Sequence, residues 1–120
     1  MKDKTMTSEA SKRPNAFLFS VKGRLDGVTS PDIKNQIDTI LSTGYQNLII
    51  DCSALEYISS AGIRVLLQGY HQAEKNHGKI ALTGVSNDTE QVLFVTGFLP
   101  YFKLFASNED AFAFFNKEEA

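Results

Sequence analysis

Two adjacent serines, Ser59 and Ser60, precede an Ala61-Gly62 pair at the predicted start of a helix. The first N–H groups of a helix lack partners within it and the helix dipole is positive there, so this position favours an anion. A serine hydroxyl at a helix start is normally an N-cap that contributes about 1 kcal/mol. One cap requires one hydroxyl, however, and the small residues beside this pair leave the helix end accessible to another molecule. The residues alone leave two interpretations open, a structural cap and a reactive hydroxyl.

A serine hydrolase is the first chemistry to test against this segment. Residues 58–62 (ISSAG) are one glycine short of the GxSxG nucleophile elbow. A nucleophilic serine also needs a histidine within hydrogen-bond reach. His71 lies eleven residues along the predicted helix from Ser60, roughly 16 Å away at a rise of about 1.5 Å per residue, and His77 is farther still. We therefore predict that the protein is not a serine hydrolase.

Metal and cofactor sites are not indicated either. His71 and His77 are six residues apart, which differs from the i, i+4 spacing of a helical zinc pair, and Cys52 has no cysteine partner. The chain has no glycine-rich phosphate loop followed by lysine. We expect solvated histidines, a small core cysteine, no metal and no cofactor.

Two aspartates could support the serine hydroxyl. Asp51 ends a predicted buried strand, and Asp26 lies in the loop before the first predicted helix. Ligands collect at the carboxyl edge of a parallel sheet, which both loops could reach. In the plainer interpretation, Asp26 orders the turn at 23–27 and Asp51 caps a tight connection. In the other, both orient or polarise the hydroxyl of Ser60.

The elements that must position these residues begin with a strand and a helix. Alternating apolar residues at 15–22 predict a strand, and the glycines at 23–27 predict a turn. Ser30 is predicted as the N-cap of the next helix, with Pro31 at its first position. The apolar stripe of that helix consists of Ile33, Ile37, Ile40 and Leu41.

The rest of the chain repeats this alternation. Short apolar runs at 47–50 and 79–83 predict buried strands, and the helix between them forms a crossover that makes them parallel. A third helix is predicted at 88–96 with Gly97 just past its end, and a last helix is predicted to be capped by Asn108. The pattern predicts an α/β domain with helices covering a sheet.

Composition sets outer limits on function. A chain of 120 residues suits one compact domain. The formal net charge of −2 gives no electrostatic footprint for nucleic acid or a membrane surface, and no apolar run approaches the roughly 20 residues of a membrane span. A single cysteine and the absence of a signal peptide predict a cytoplasmic protein. We expect a flexible tail at 1–13 and a folded domain at 14–117.

Three segments together resemble the STAS domain of bacterial anti-sigma factor antagonists: Gly23–Asp26 (GRLD), Leu48–Ser53 (LIIDCS) and Tyr57–Leu67 (YISSAGIRVLL). The later pairs Gly84-Val85, Val92-Leu93 and Thr96-Gly97 and the region of Phe102 are similar to the C-terminal half of that family. The resemblance implies a single domain with a mixed, mostly parallel sheet, an antiparallel first strand and about four flanking helices.

The resemblance also implies a phosphorylation switch. In that family a partner serine kinase, itself the anti-sigma factor, phosphorylates a serine at the start of the second helix, and matching the motifs places this serine at Ser60. Ser59 stands where many members carry aspartate, which makes it the alternative acceptor, and Asp26 matches the acidic residue near the acceptor. The implied protein is not an enzyme. Its implied function is transcription regulation by partner switching, with a PP2C-type phosphatase as a further partner. The alternative is a non-phosphorylated STAS subunit of an ABC lipid-transport system or another signalling scaffold.

A phosphate on Ser60 would change the surface more than the fold. It adds about −1.5 to −2 charge, which a helix N-terminus tolerates, so we expect partner binding to change while the domain stays folded. The residues expected to support the acceptor are Asp26, Asp51, Ser59 and Gly62. Those expected to contact the partner are Thr29, Ser30, Ala61, Arg64, Val65 and Gln68, which in the plainer interpretation are ordinary exposed helix residues.

Overall fold

A computed structural model describes residues 16–119, so the predicted tail at 1–13 lies outside the described residues. In chain order the elements are β1 (Ala16–Ser20), β2 (Gly23–Leu25), α1 (Ser30–Ser42), β3 (Asn47–Asp51), β4 (Leu55–Ile58), α2 (Ser60–Lys75), β5 (Ile80–Thr83), α3 (Asn87–Val95), β6 (Lys103–Phe105) and α4 (Asn108–Glu119). A single 3₁₀ turn, Leu99–Tyr101, precedes β6. None of the helices within 16–119 combines the length and apolar character of a membrane-spanning segment. The predicted α/β class with four helices is confirmed.

The strands form two parallel groups. Four of them make a sheet in the order β1-β3-β5-β6, and β2 pairs separately with β4. Only two or three residues separate β1 from β2 and β3 from β4, and the backbone N–H of Gly23 bonds the Ala54 carbonyl at 2.9 Å across these connections. The β2–β4 pair, which we call the ribbon, therefore extends the sheet beyond the carboxyl ends of β1 and β3.

The first described strand is parallel to its neighbour, so the expectation of an antiparallel first strand is wrong for β1. Its register with β3 runs from Ala16 opposite Asn47 to Ser20 opposite Asp51. The physical reason is the connection between them, because α1 carries the chain back across the sheet before β3 begins. Such a crossover produces parallel strands, whereas antiparallel neighbours can be joined by a short hairpin.

Both faces of the sheet are buried. The face that carries Phe17 and Phe19 packs against α1, α2 and α3, whereas the face that carries Leu18 and Ile49 packs against α4. Successive strand residues point to opposite faces, so the alternation that predicted this strand puts Phe17 and Phe19 on one face of the sheet. Fully burying one such side chain contributes about 1.5–3 kcal/mol. This burial fixes the register and therefore the point at which each strand ends.

Three short strands differ from the sequence-based assignment. Residues 23–25, predicted as part of a turn, form β2, and neither β4 nor β6 was predicted. Each of these strands has three or four residues, too few for a periodic pattern. Their assignment depends on pairing with a strand elsewhere in the chain, which a local pattern does not contain.

Two helix caps also differ from the prediction. Ser30 is the first residue of α1 rather than its N-cap, and its buried hydroxyl has no hydrogen-bond partner within the described part of the chain. At α4 the hydroxyl of Ser107, and not the side chain of Asn108, accepts a hydrogen bond from the Asp110 N–H at 3.1 Å. The Asn108 amide cannot act as a cap because it is bonded to side chains at the carboxyl edge of the sheet.

Candidate functional site

The far end of the ribbon is tied to the start of α2. Leu25 lies opposite Ile58 in the register, and its carbonyl oxygen accepts a hydrogen bond from the backbone N–H of Ser59 at 2.9 Å. Asp26 follows Leu25 directly, so its turn lies beside the two serines. We call this region the ribbon tip and define it by Arg24, Asp26, Thr29, Tyr57, Ser59 and Ser60.

Gly62 lets the first turn of α2 approach the ribbon closely. A Cβ atom at this position would lie 2.6 Å from the Leu25 carbonyl oxygen and 2.9 Å from Cγ1 of Ile58. A side chain there would force the helix away from both strands, because real Cβ atoms do not approach other atoms so closely. The predicted supporting role of Gly62 therefore has a steric basis at this position.

The two serines occupy different environments. Ser59 has extended backbone angles (φ −101°, ψ 176°), and its Oγ accepts a hydrogen bond from the Gly62 N–H at 3.3 Å. Ser60 is the first residue of α2 and is exposed. Within residues 16–119 its hydroxyl makes no hydrogen bond. One serine thus caps the helix, and the other presents a free hydroxyl to solvent.

Asp26 organises the turn between β2 and α1. Its Oδ1 accepts hydrogen bonds from the backbone N–H groups of Thr29 at 3.2 Å and Val28 at 3.0 Å. The Thr29 hydroxyl in turn donates to the Arg24 carbonyl oxygen at 2.8 Å. The hydrogen bond from the Thr29 N–H, more than the other bonds, lowers the pKa of Asp26 below its ordinary value. This carboxylate is therefore ionised at neutral pH, in a turn adjacent to Ser59 and Ser60.

Arg24 and Tyr57 complete the ribbon tip, and sequence reasoning did not find either of them. They lie opposite each other in the ribbon, and the Arg24 guanidinium sits over the Tyr57 ring, 4.2 Å from its centroid. The Nε of Arg24 lies 3.3 Å from Oδ2 of Asp26. Strand alternation was the available signal, because each residue stands two positions before a predicted site residue, Asp26 or Ser59.

Asp51 belongs to a second polar cluster, away from Ser60. Its carboxylate accepts hydrogen bonds from the Ser53 N–H at 2.9 Å and from Nδ2 of Asn108 at 3.0 Å. Oδ1 of Asn108 accepts a further bond from the Thr83 hydroxyl. Partial burial by itself would raise the pKa of Asp51, but the bonds from Asn108 and Ser53 bring that pKa below its ordinary value. We call these four residues the junction network.

All of β4 separates Asp51 from the serines. Four strand residues span about 13 Å at roughly 3.3 Å per residue, and the Asp51 side chain is already bonded to α4. The structure therefore does not bring Asp51 to the hydroxyl of Ser60. It places Asp51 where a tight connection is ordered, as the plainer interpretation of the sequence holds.

Burial divides the residues predicted to contact a partner. Arg64 and Gln68 are exposed on α2, and Thr29 and Ala61 are half-buried at the ribbon tip. Ser30 and Val65 are buried, so neither can form part of a contacting surface in this conformation. Both face the apolar interior because they fall on the inner side of their helices. Two exposed apolar residues in this region, Val28 and Tyr57, were not predicted.

The remaining candidates for chemistry lie away from the ribbon tip. His71 and His77 are exposed in the second half of α2 and beyond its end. Cys52 is buried in the core, and this burial, more than the nearby Asp51 carboxylate, raises the pKa of its thiol to about 12. Among the described residues, no group of three or more His, Cys, Asp or Glu side chains is arranged to hold a metal ion.

Comparison with known proteins identifies similar chains. A family model described as the STAS domain matches residues 7–111. BtrV of Bordetella bronchiseptica, whose name is that of an anti-sigma factor antagonist, is 27% identical over 99 residues, which are 82% of this chain and 85% of BtrV.

Solved structures share the fold. The anti-sigma factor antagonist SpoIIAA in its unphosphorylated form has a TM-score of 0.71 with 21% identity, covering 81% of this chain and 84% of SpoIIAA. The phosphorylated form of SpoIIAA, described as a Bacillus cell fate determinant, has a TM-score of 0.64 with 22% identity, covering 81% and 87%. A sulfate transporter family protein from Wolinella succinogenes has a TM-score of 0.80 with 18% identity, covering 98% and 100%.

Proposed function

This chain belongs to the STAS domain family, and from that premise we propose that it is an anti-sigma factor antagonist switched by phosphorylation of Ser60. In this proposal the unphosphorylated form binds an anti-sigma factor that is a serine kinase, and the bound kinase releases a sigma factor. Phosphorylation of Ser60 then causes the complex to dissociate. The observation that carries the proposal is the exposed, uncommitted hydroxyl of Ser60 at a helix start that Ser59 already caps.

The surface around Ser60 suits a protein partner. Val28 and Tyr57 are exposed apolar residues of the same region, at 88% and 43% of their full accessible surface. Such side chains provide apolar contact area, and aromatic residues are enriched where proteins bind each other. The half-buried Thr29 and Ala61 and the exposed Arg64 extend this surface from the turn onto α2.

Phosphorylation would act on the partner rather than on the fold. A phosphate adds about −1.5 to −2 charge and three acceptor oxygens, and the positive end of the α2 dipole accommodates it. Asp26 is ionised beside it, because hydrogen bonds in its turn lower its pKa. The ribbon tip would therefore become strongly negative, which repels acidic groups of the partner while the phosphate itself blocks close packing.

Ser59 is the weaker acceptor candidate. Its hydroxyl oxygen already accepts a hydrogen bond from the Gly62 N–H, so modification there would disturb the N-cap of α2. Losing an N-cap costs about 1 kcal/mol, whereas Ser60 loses no hydrogen bond within the described residues when it is esterified. The structural relative SpoIIAA is named in both a phosphorylated and an unphosphorylated form, which supports a phosphorylation switch in this fold but does not indicate which serine is modified.

The proposal assigns the chain no catalysis of its own. It acts as a ligand and substrate of the kinase in the cytoplasm, and a PP2C-type phosphatase returns it to the binding form. The exposed His71 and His77 lie along α2 from Ser60 and supply no general base to its hydroxyl.

The test is phosphoryl transfer followed by intact-mass measurement. The wild type, Ser60→Ala and Ser59→Ala are each incubated with ATP and, one at a time, with the serine kinases of the source organism. We expect one added phosphoryl group on the wild type and on Ser59→Ala, and none on Ser60→Ala. Binding of the kinase before and after the reaction, measured by calorimetry, should fall on phosphorylation.

Two results would overturn the proposal. A phosphoryl group on Ser60→Ala but not on Ser59→Ala would move the acceptor to Ser59. No phosphoryl transfer from any serine kinase of the source organism would instead favour the STAS subunit of an ABC lipid-transport system or another scaffold that needs no phosphorylation.

A further inference from the structure

The Arg24 guanidinium is held at the ribbon tip with most of its hydrogen-bonding capacity unused. It lies 4.2 Å from the centroid of the Tyr57 ring, and its Nε contacts Oδ2 of Asp26 at 3.3 Å. Its side chain is 61% exposed. Within residues 16–119 its two terminal nitrogens have no hydrogen-bond partner. A guanidinium offers five N–H donors in a planar fork that matches a phosphate, so the free edge of this fork is available for an anion.

The strand register places Arg24 on the ribbon face that leads to Ser59, and Ser60 follows Ser59 directly in the chain. Arg24 lies opposite Tyr57, and Leu25 lies opposite Ile58. Side chains alternate along extended backbone, and Ser59 keeps extended angles beyond the end of β4. Arg24, Asp26, Tyr57 and Ser59 therefore share one face of the ribbon. Strand geometry places the Cα atoms of Arg24 and Ser59 about 8 Å apart, a distance that an arginine side chain spans.

Asp26 does not depend on Arg24. Its other oxygen, Oδ1, accepts hydrogen bonds from the N–H groups of Val28 and Thr29. An exposed ion pair such as that between Arg24 and Asp26 contributes only about 0–1 kcal/mol. Hydrogen bonds between a guanidinium and a phosphate are roughly twice as strong as neutral ones and are often bidentate. A carboxylate can form bonds of the same kind, but Arg24 has only one contact with Asp26, from Nε at 3.3 Å. The phosphate carries about −1.5 to −2 charge and three acceptor oxygens, so exchange of the carboxylate for a phosphate favours the phosphate.

We propose that Arg24 is the counter-ion of the phosphorylated serine, an inference that rests on the proposed function. On phosphorylation the guanidinium turns on its Tyr57 platform from Asp26 to the phosphate. Its charge then separates two anions, the phosphate and the Asp26 carboxylate, that would otherwise repel each other. Arg24 is thus a positioning residue that lets the domain accept the phosphate without unfolding the Asp26 turn.

The other charged groups near the phosphate define the competing explanations. Arg64 stands one turn along α2 from Ser60, at the i+4 position, where a cation can reach an anion on the same helix. Glu56 is exposed on β4, one residue from Tyr57, so strand alternation places it on the opposite ribbon face. Asp26 adds negative charge. The test must therefore separate Arg24 from Arg64.

The experiment uses the full chain with phosphoserine installed at position 60 during synthesis, so it requires no kinase. The second pKa of the phosphate is measured by ³¹P NMR in the wild type, Arg24→Gln, Arg24→Lys and Arg64→Gln. We expect Arg24→Gln to raise this pKa by about 0.5–1 unit, because a nearby cation favours the dianion. Arg24→Lys should give an intermediate value, and Arg64→Gln a smaller rise.

Two outcomes would overturn the inference. One is the same phosphate pKa in Arg24→Gln and the wild type. The other is a rise in the phosphate pKa in Arg64→Gln with no rise in Arg24→Gln. Thermal unfolding of each unphosphorylated variant shows that the fold is intact, since the exposed Arg24 pair contributes little to stability. Because the phosphate is installed directly, this test does not depend on a kinase. If no kinase phosphorylates the protein, the proposed function is wrong, but the phosphate pKa still shows whether Arg24 contacts the phosphate.

Discussion

The ribbon tip and the junction network each contain an aspartate at or just beyond a strand end, and they use it in opposite ways. In the junction network the Asp51 carboxylate and the Asn108 amide bond each other, and Thr83 and Ser53 take the remaining positions. At the ribbon tip one oxygen of Asp26 is saturated by its own turn, while Ser60 keeps its hydroxyl free.

The difference shows what separates a structural polar cluster from a recognition site. Hydrogen bonds consumed inside the molecule tie elements together, as Asp51 and Asn108 tie β3 to α4. Groups that are held in place but left unpaired are the ones that an outside molecule can use. Both clusters lie at the carboxyl ends of parallel strands, β3 for Asp51 and β2 for Asp26, so this position does not decide between the two roles.

The largest expected effect is a loss of partner affinity at the ribbon tip without a loss of stability. In the proposed function, Ser60→Glu places a negative charge where the partner packs, and like charges in an interface cost several kcal/mol. We expect affinity for the anti-sigma kinase to fall about 100-fold, or about 2.7 kcal/mol, with an unchanged melting temperature. Ser60→Gln, of similar size but neutral, is the matched control in calorimetric titration. Equal affinities for the two variants would remove charge as the basis of the switch.

Gly62→Ala should break the ribbon tip sterically. The added methyl group would lie 2.6 Å from the Leu25 carbonyl oxygen, and overpacking of this kind costs about 1–3 kcal/mol. We expect the free energy of unfolding in urea to fall by that amount. Gly27→Ala is the control in the neighbouring turn, because nothing lies within 4 Å of a Cβ atom there. If both variants unfold at the same urea concentration, the close approach of α2 to the ribbon is not required.

Asn108→Ala should weaken the junction network and leave the switch intact. It removes the amide that joins Asp51 to Thr83, and a half-buried group left without its partner costs about 1–2 kcal/mol. We expect this loss in urea unfolding, with the rate of phosphoryl transfer to Ser60 unchanged. Asn116→Ala, at an exposed position of the same helix, provides the comparison. If phosphoryl transfer is slower in Asn108→Ala but not in Asn116→Ala, the two clusters are coupled and this prediction is wrong.

The smallest expected effect is a pH dependence at Asp51. Its pKa is lowered in the folded protein, so its contribution to stability is present above the unfolded value of about 3.9 and is lost as the pH falls through the folded value. The difference in unfolding free energy between the wild type and Asp51→Asn should shrink below about pH 4. Because Asp51 is only half-buried and its charge is partly screened by solvent, we expect a total effect below about 1 kcal/mol. A difference that stays constant from pH 7 to pH 3 would contradict this linkage.

The sequence predicted the long elements well because their signals are local. The apolar stripe of α1, the buried runs of β3 and β5 and the crossover between them are confirmed. The short strands β2, β4 and β6 were missed, because pairing between distant segments rather than periodicity creates them. The predicted caps at Ser30 and Asn108 were also wrong. The Asn108 amide is engaged by Asp51 in a tertiary hydrogen bond, whereas Ser30 lies one residue inside α1 with its hydroxyl buried.

Within the site, the sequence by itself determined which groups stand at the start of α2. Ser59, Ser60 and Gly62 are neighbours in the chain, and a helix start imposes its unpaired N–H groups on whatever residues occupy it. Only the tertiary structure decided which distant groups meet them. The ribbon register brought Arg24 over Tyr57, and packing of α4 turned Asp51 toward Asn108. Hydrogen bonding within one helical turn follows from adjacent residues, whereas contacts between strands far apart in the chain follow from how the whole core packs.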